Sequence, residues 1–150
     1  MTNLNSLNNI LVLAPHTDDG ELGCGGFIRK LIESNKNIQY IAFSKCEASV
    51  PSGYPSNILE KELFNALSVL GIKEENIQLL NYPVRKFPAY RQTILETLVQ
   101  VNKKFKPDLV ILPNSKDVHQ DHMTIYNEGL RAFKSTRIIG YELPWNNYIS

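Results

Sequence analysis

Residues 9–21 read NILVLAPHTDDGE, from Asn9 to Glu21. The first six residues form a short apolar run rich in branched side chains, closed by Pro15. Such a run suits a strand buried on both faces, as in a parallel sheet. The stretch after the polar turn, residues 20–34, places Leu22, Phe27, Ile28, Leu31 and Ile32 near helical spacing. Gly23, Gly25 and Gly26 in its first turns lower helix propensity, so they are expected to serve close packing or a tight turn. Strand, polar turn and helix in that order make the opening half of a βαβ unit.

The same alternation continues to the end of the chain. Ile38 to Phe43 reads as a second strand, followed by a long irregular loop, Ser44 to Ser56, carrying Pro51, Gly53 and Pro55. Loops of that length inside compact domains are often functional. Residues 57–70 form a second helix with Gly71 as its C-cap. Ile77 to Tyr82 is a third strand and residues 90–105 a third helix, ended by Lys103, Lys104, Lys106 and Pro107. Asp108 to Leu112 is the fourth strand, residues 122–134 the fourth helix, and Arg137 to Glu142 the fifth strand. Alternating elements of these lengths predict an α/β fold. Right-handed crossovers make it a Rossmann-like, doubly wound and mostly parallel sheet of about five strands, with helices on both faces.

Bulk properties narrow the function classes. The chain has 150 residues, 43% hydrophobic and 21% charged, with a net charge of +1. This fits one domain spanning residues 1–150 and argues neither for a nucleic-acid surface nor for an acidic tail. No apolar run approaches the roughly 18 residues of a membrane span, and the N-terminus lacks the pattern of a signal peptide. Cys24 and Cys46 make no disulfide framework, so free packed thiols and a cytoplasmic, reducing compartment are expected. The stop at Ser150, close after the fifth strand, raises the expectation of a C-terminally truncated domain.

Ligands of open parallel sheets bind outside the carboxyl ends of the strands. Two polar clusters fall there: Pro15 to Glu21 after strand one, and Asn114 to His122 after strand four. In a 3-2-1-4-5 order these strands are neighbours, so all three histidines of the chain, His16, His119 and His122, converge. Two imidazoles and a carboxylate form a catalytic zinc arrangement that leaves one position open. Of the adjacent carboxylates Asp18 and Asp19, one can bind the ion while the other takes a proton from water. Either could instead be a helix N-cap with a solvated neighbour, and His16 a hydrogen-bonded turn histidine.

The run from Ala14 to Gly26, APHTDDGELGCGG, resembles the first motif of the LmbE/PIG-L-like de-N-acetylases. His119-Gln120-Asp121-His122 resembles their second motif, and Glu62, Ala66, Leu70 and Gly71 a helical segment between them. The resemblance implies that His16, Asp19 and His122 hold Zn2+ or another divalent metal. It implies that Asp18 is the general base, and that His119 stabilises the oxyanion or protonates the leaving amine. Asp121 would orient a histidine through its ring N–H. The implied reaction removes an N-acetyl group from an N-acetylglucosamine-type conjugate, giving a free amine and acetate. The implied partner is therefore a small amino-sugar or glycoconjugate, not nucleic acid.

Two departures stand out. Thr17 replaces the family's usual proline, which touches backbone stiffness and not a ligand. Ile58, Leu59 and Lys61 stand where many members have an arginine that contacts substrate. Around the cluster, Glu21 reads as a first-turn helix charge. Tyr54, Asn114 and Lys116 read as loop surface within reach of sugar hydroxyls. Arg85 and Lys86, beside Phe87, could meet an anionic part of a substrate but read first as a solvated basic pair. Cys24 is expected to pack near the site without acting as a nucleophile.

Two rival functions follow from the same residues. One is a metal-binding but catalytically silent domain or fragment. The other is a nucleotide-binding module, since Gly20, Gly23, Gly25 and Gly26 follow a strand. Their spacing departs from the dinucleotide fingerprint, and the acidic turn would repel a pyrophosphate.

Overall fold

A computed structural model describes residues 6–147 of the chain. Five strands form one sheet in the order β3-β2-β1-β4-β5. They are β1 (Asn9–Ala14), β2 (Asn37–Ala42), β3 (Ile77–Leu79), β4 (Leu109–Pro113) and β5 (Arg137–Tyr141). Every neighbouring pair is parallel. The helices are α1 (Asp19–Glu33), α2 (Ile58–Leu70), α3 (Phe87–Phe105) and α4 (Gln120–Ala132).

The strand pattern explains the layers. Side chains alternate along a strand, so Ile10, Val12 and Ala14 of β1 face one side with Ile38, Tyr40 and Ala42 of β2. Ile28 and Leu31 of α1 and Leu63 and Leu67 of α2 close that core. Leu11 and Leu13 of β1, with Val110 and Leu112 of β4, face the other side. They pack on Phe87, Ile94 and Leu98 of α3 and on Ile125 of α4. Both faces of β1 and β4 are therefore dry, which is why these strands read as unbroken apolar runs.

The structure shifts several element ends. Helix α3 starts at Phe87 rather than residue 90, because Pro88 falls in its first turn, where a missing N–H costs nothing. Helix α4 starts at Gln120, which brings Asp121 and His122 into its first turn, and it ends at Ala132. The β3 ladder stops at Leu79, although Leu80 and Tyr82 still donate N–H bonds to Ala42 and Phe43. Gly71 caps α2 in the left-handed conformation, as expected, with φ 94°.

The glycines of α1 divide into two groups. A Cβ at Gly20 would strike the Tyr40 ring and one at Gly23 the Tyr141 ring, so both serve close approach to the sheet. Gly25 has only ordinary contacts around it and Gly26 open space, so the packing expectation fails for these two. The helix is kinked at Cys24, whose backbone is non-helical.

Candidate metal centre

The switch between β1 and β4 sets the site. Their register pairs Ile10 with Leu109 and Val12 with Ile111. The turn after Ala14 and the loop after Pro113 therefore emerge side by side.

Three donor atoms converge there. His16 Nδ1 lies 3.2 Å from Asp19 Oδ2, His122 Nε2 lies 3.2 Å from the same oxygen, and the two nitrogens are 3.1 Å apart. The far nitrogen of each ring is engaged by its own carboxylate. His16 Nε2 meets Asp121 at 2.9 Å, and His122 Nδ1 meets Asp117 at 2.7 Å. With protons on those far nitrogens, both near nitrogens turn lone pairs toward Asp19. Two lone pairs and a carboxylate oxygen at such separations repel unless positive charge sits among them. Three ligands of a tetrahedral zinc at about 2.0–2.1 Å would be about 3.3–3.4 Å apart. The donor set thus fits a small divalent cation with one position left open.

His119 completes a wider group. The three imidazoles offer nitrogens within 4.8 Å of one another. His119 Nδ1, however, already accepts the backbone N–H of Asp121 at 3.2 Å. That bond makes Nε2 the protonated nitrogen of neutral His119, a donor rather than a ligand. Asp19 is the better third donor.

The charges in the centre are interdependent. Burial pushes the His122 imidazole down, but the Asp117 and Asp19 carboxylates outweigh it and raise its pKa to about 9. His16 is likewise depressed by burial and raised overall by Asp121 and Asp19. Burial favours neutral Asp19, but its contacts with His122 and His16 hold it well below the usual carboxylate range. Asp18 is raised, first by burial and then by the neighbouring Asp19 charge. His119 is lowered by burial and by the nearby His122 and His16 rings.

Each residue named from sequence has a definite place. His16, Asp19 and His122 form the triangle. Asp18 occupies the α1 N-cap position but makes no side-chain cap bond, and it lines a cleft with His16 and His119. Asp121, fully buried, ties His16 to the backbone N–H groups of Arg85 (2.5 Å) and Phe87 (3.1 Å). Tyr54, Asn114, Lys116 and Lys86 are not among the cleft-lining residues.

Glu21 lies in the first turn of α1, as expected, and is also engaged by the sheet. Its carboxylate accepts the Tyr40 hydroxyl at 2.7 Å, and burial pushes its pKa up to about 7. Cys24 lies away from the cleft, its thiol donating to the Gly20 carbonyl at 3.1 Å. Cys46, which sequence reasoning did not single out, lines the cleft instead. Both thiols are free.

The residue that sequence reasoning missed is Asp117. It is 3% exposed and accepts from both the His122 ring and the His119 backbone N–H, the latter at 2.9 Å. The signal was present in the alternation Asp117-x-His119-x-Asp121-His122, which supplies a carboxylate for each of the rings of His16 and His122.

The chain resembles known deacetylases in sequence and in fold. The family model described as "PIG-L: GlcNAc-PI de-N-acetylase" matches residues 11–133. A diacetylchitobiose deacetylase of Thermococcus kodakarensis is 28% identical over 142 residues, covering 91% of this chain and 52% of that protein. The chain therefore spans about half the length of this curated relative. Among solved structures, N,N'-diacetylchitobiose deacetylase from Pyrococcus horikoshii superposes with a TM-score of 0.79 at 22% identity, covering 98% of this chain and 65% of that one. The 4-carboxy-2-hydroxymuconate hydratase GalB of Pseudomonas putida shares the fold at a TM-score of 0.68 and 20% identity, covering 84% and 55%. With the family model spanning both motifs and the strands between them, the chain belongs to the PIG-L family.

Proposed function

We propose that this chain hydrolyses an N-acetyl group from an N-acetylglucosamine-type amino-sugar conjugate, releasing acetate and a free amine, with zinc held by His16, Asp19 and His122. The observation that carries this reading is the triangle of two imidazole nitrogens and a carboxylate oxygen at 3.1–3.2 Å. When bound, zinc lowers the pKa of water toward about 7 and polarises an amide carbonyl.

The remaining steps belong to the protein's own groups. Asp18 sits on the cleft wall outside the triangle and takes a proton from the attacking water. Its raised pKa makes it able to return that proton to the leaving nitrogen. His119 presents Nε2–H to the amide oxygen as negative charge grows there, because Nδ1 is held by the Asp121 N–H. Asp117 and Asp121 keep the His122 and His16 rings in the required tautomer. Water's oxygen joins the acyl carbon, the C–N bond breaks, and the amine leaves with one proton.

The test is stoichiometric release of acetate and primary amine from N-acetylglucosamine conjugates by the zinc-loaded protein. Tight zinc binding with no acetate from any member of a substrate panel would instead establish the silent metal-binding reading. Nucleotide retention without metal binding would overturn both.

Among the described residues, no helix is long and apolar enough to cross a membrane. The cleft, of about 270 Å³, suits a monosaccharide-sized group.

A further inference from the structure

One charged cleft residue has no part in the chemistry above. Arg85 lines the cleft alongside His16, Asp18 and His119 and, among the described residues, is the only lysine or arginine to do so. Among the described residues, Arg29, Arg91 and Arg131 each pair with a glutamate. Among the same residues Arg85 has no carboxylate within ion-pair distance, and its only hydrogen bond from the guanidinium goes to the Ala48 carbonyl at 3.4 Å. The site therefore holds a cation whose hydrogen-bonding capacity is largely unspent.

The backbone around it is held firmly. Arg85 has φ 67°, a left-handed conformation that non-glycine residues rarely adopt. The conformation is secured through buried Asp121, which accepts the N–H groups of Arg85 and Phe87 while also contacting His16 Nε2. Gln120 at the start of α4 donates to the Arg85 carbonyl at 3.4 Å. The carboxylate that orients a metal-binding histidine thus also fixes the residue carrying the free guanidinium. Sustained backbone strain next to a reactive centre is a feature of functional positions.

We propose that Arg85 is a specificity-determining residue that grips an anionic oxygen group, carboxylate or phosphate, on the substrate that the cleft accepts. A guanidinium pairs with such groups through two parallel N–H bonds, whereas the uncharged hydroxyls of a neutral sugar can be met by Thr17 and Ser49 on the same wall. This inference rests on the hydrolase reading for its substrate scaffold, but anion binding can be measured without turnover.

The experiment compares wild type with Arg85→Lys, Arg85→Ala and Arg85→Gly, the last keeping the left-handed turn unstrained if the alanine variant fails to fold. Binding of glucosamine 6-phosphate and muramic acid, with neutral N-acetylglucosamine as the probe lacking an anionic group, is measured by calorimetry on the metal-free protein. KM and kcat are measured for N-acetylglucosamine 6-phosphate, N-acetylmuramic acid and N-acetylglucosamine on the zinc-loaded protein. Loss of a charged hydrogen-bonded contact should weaken the anionic probes about 10- to 100-fold, with Arg85→Lys intermediate. KM should rise by the same factor, kcat should stay within threefold, and neutral probes should be unaffected. The stronger of the two anionic arms identifies phosphate or carboxylate as the natural group. Equal losses on neutral and anionic probes, or no binding of either anion to wild type, would overturn the inference. Arg85-dependent anion binding without acetate release would sink the hydrolase reading and leave this one standing. Acetate release indifferent to Arg85 would do the reverse.

Discussion

Replacing Asp117 by asparagine separates metal binding from folding. Asp117 accepts two N–H bonds on two different oxygens, the His119 backbone on Oδ1 and the His122 ring on Oδ2. Asparagine keeps one oxygen and replaces the other with an NH2 donor. The backbone N–H cannot change character, so the remaining oxygen must face His119 and the NH2 must face His122 Nδ1. The imidazole then becomes an acceptor at Nδ1 and carries its proton on Nε2, the atom 3.2 Å from Asp19 and 3.1 Å from His16. A protonated Nε2 offers no lone pair to a cation. Loss of such an outer carboxylate costs about 10- to 100-fold in metal affinity, or about 1.4–2.7 kcal/mol. Asp117→Ala should lose the same affinity and also leave the buried His119 N–H unpaired, costing a further ~1–3 kcal/mol of folding stability. Chelator competition reads the zinc Kd, and thermal melting of the metal-free proteins reads stability. A zinc Kd for Asp117→Asn within threefold of wild type would refute the tautomer argument.

Four further outcomes follow from the same structure. Asp18→Ala should retain zinc while losing about 10²- to 10⁴-fold in kcat, whereas His122→Ala should lose both; full zinc content in His122→Ala would remove it from the ligand set. Gly20→Ala should drive the Tyr40 ring away, break its bond to Glu21 and destabilise the fold by about 1–3 kcal/mol in denaturant titration. Asp108 is held below the usual carboxylate range by the N–H groups of Asn9 and Asn8. Its folded pKa is depressed, so its stabilising contribution is complete above the unfolded value of about 4 and is lost as pH falls through the folded value. The stability gap between wild type and Asp108→Ala should therefore be constant near neutrality and shrink in acid. Burial pushes Cys24 up to about 12 and raises Cys46 as well, so both thiols should resist alkylation at pH 8 until the chain is unfolded; rapid labelling of either in the native protein would contradict the packing.

The sequence alone determined the sheet and the position of the centre on it. NILVLA and DLVIL are apolar without alternation because β1 and β4 lie between two helical layers, and that double burial is visible residue by residue. Putting His16 and His122 at neighbouring strand ends needs only the strand order, which crossover handedness restricts. Tertiary structure alone decided who supports whom. Nothing in local spacing says that the Asp121 carboxylate, in the first turn of α4, meets Arg85 and Phe87 at the start of α3, or that Glu21 turns inward to Tyr40. Arg85 and Lys86 read alike as a solvated basic pair, yet only Arg85 lines the cleft. Periodicity reports how much of a segment is buried, whereas hydrogen bonds between loops depend on where several rigid elements end in space, and no single stretch of sequence encodes that.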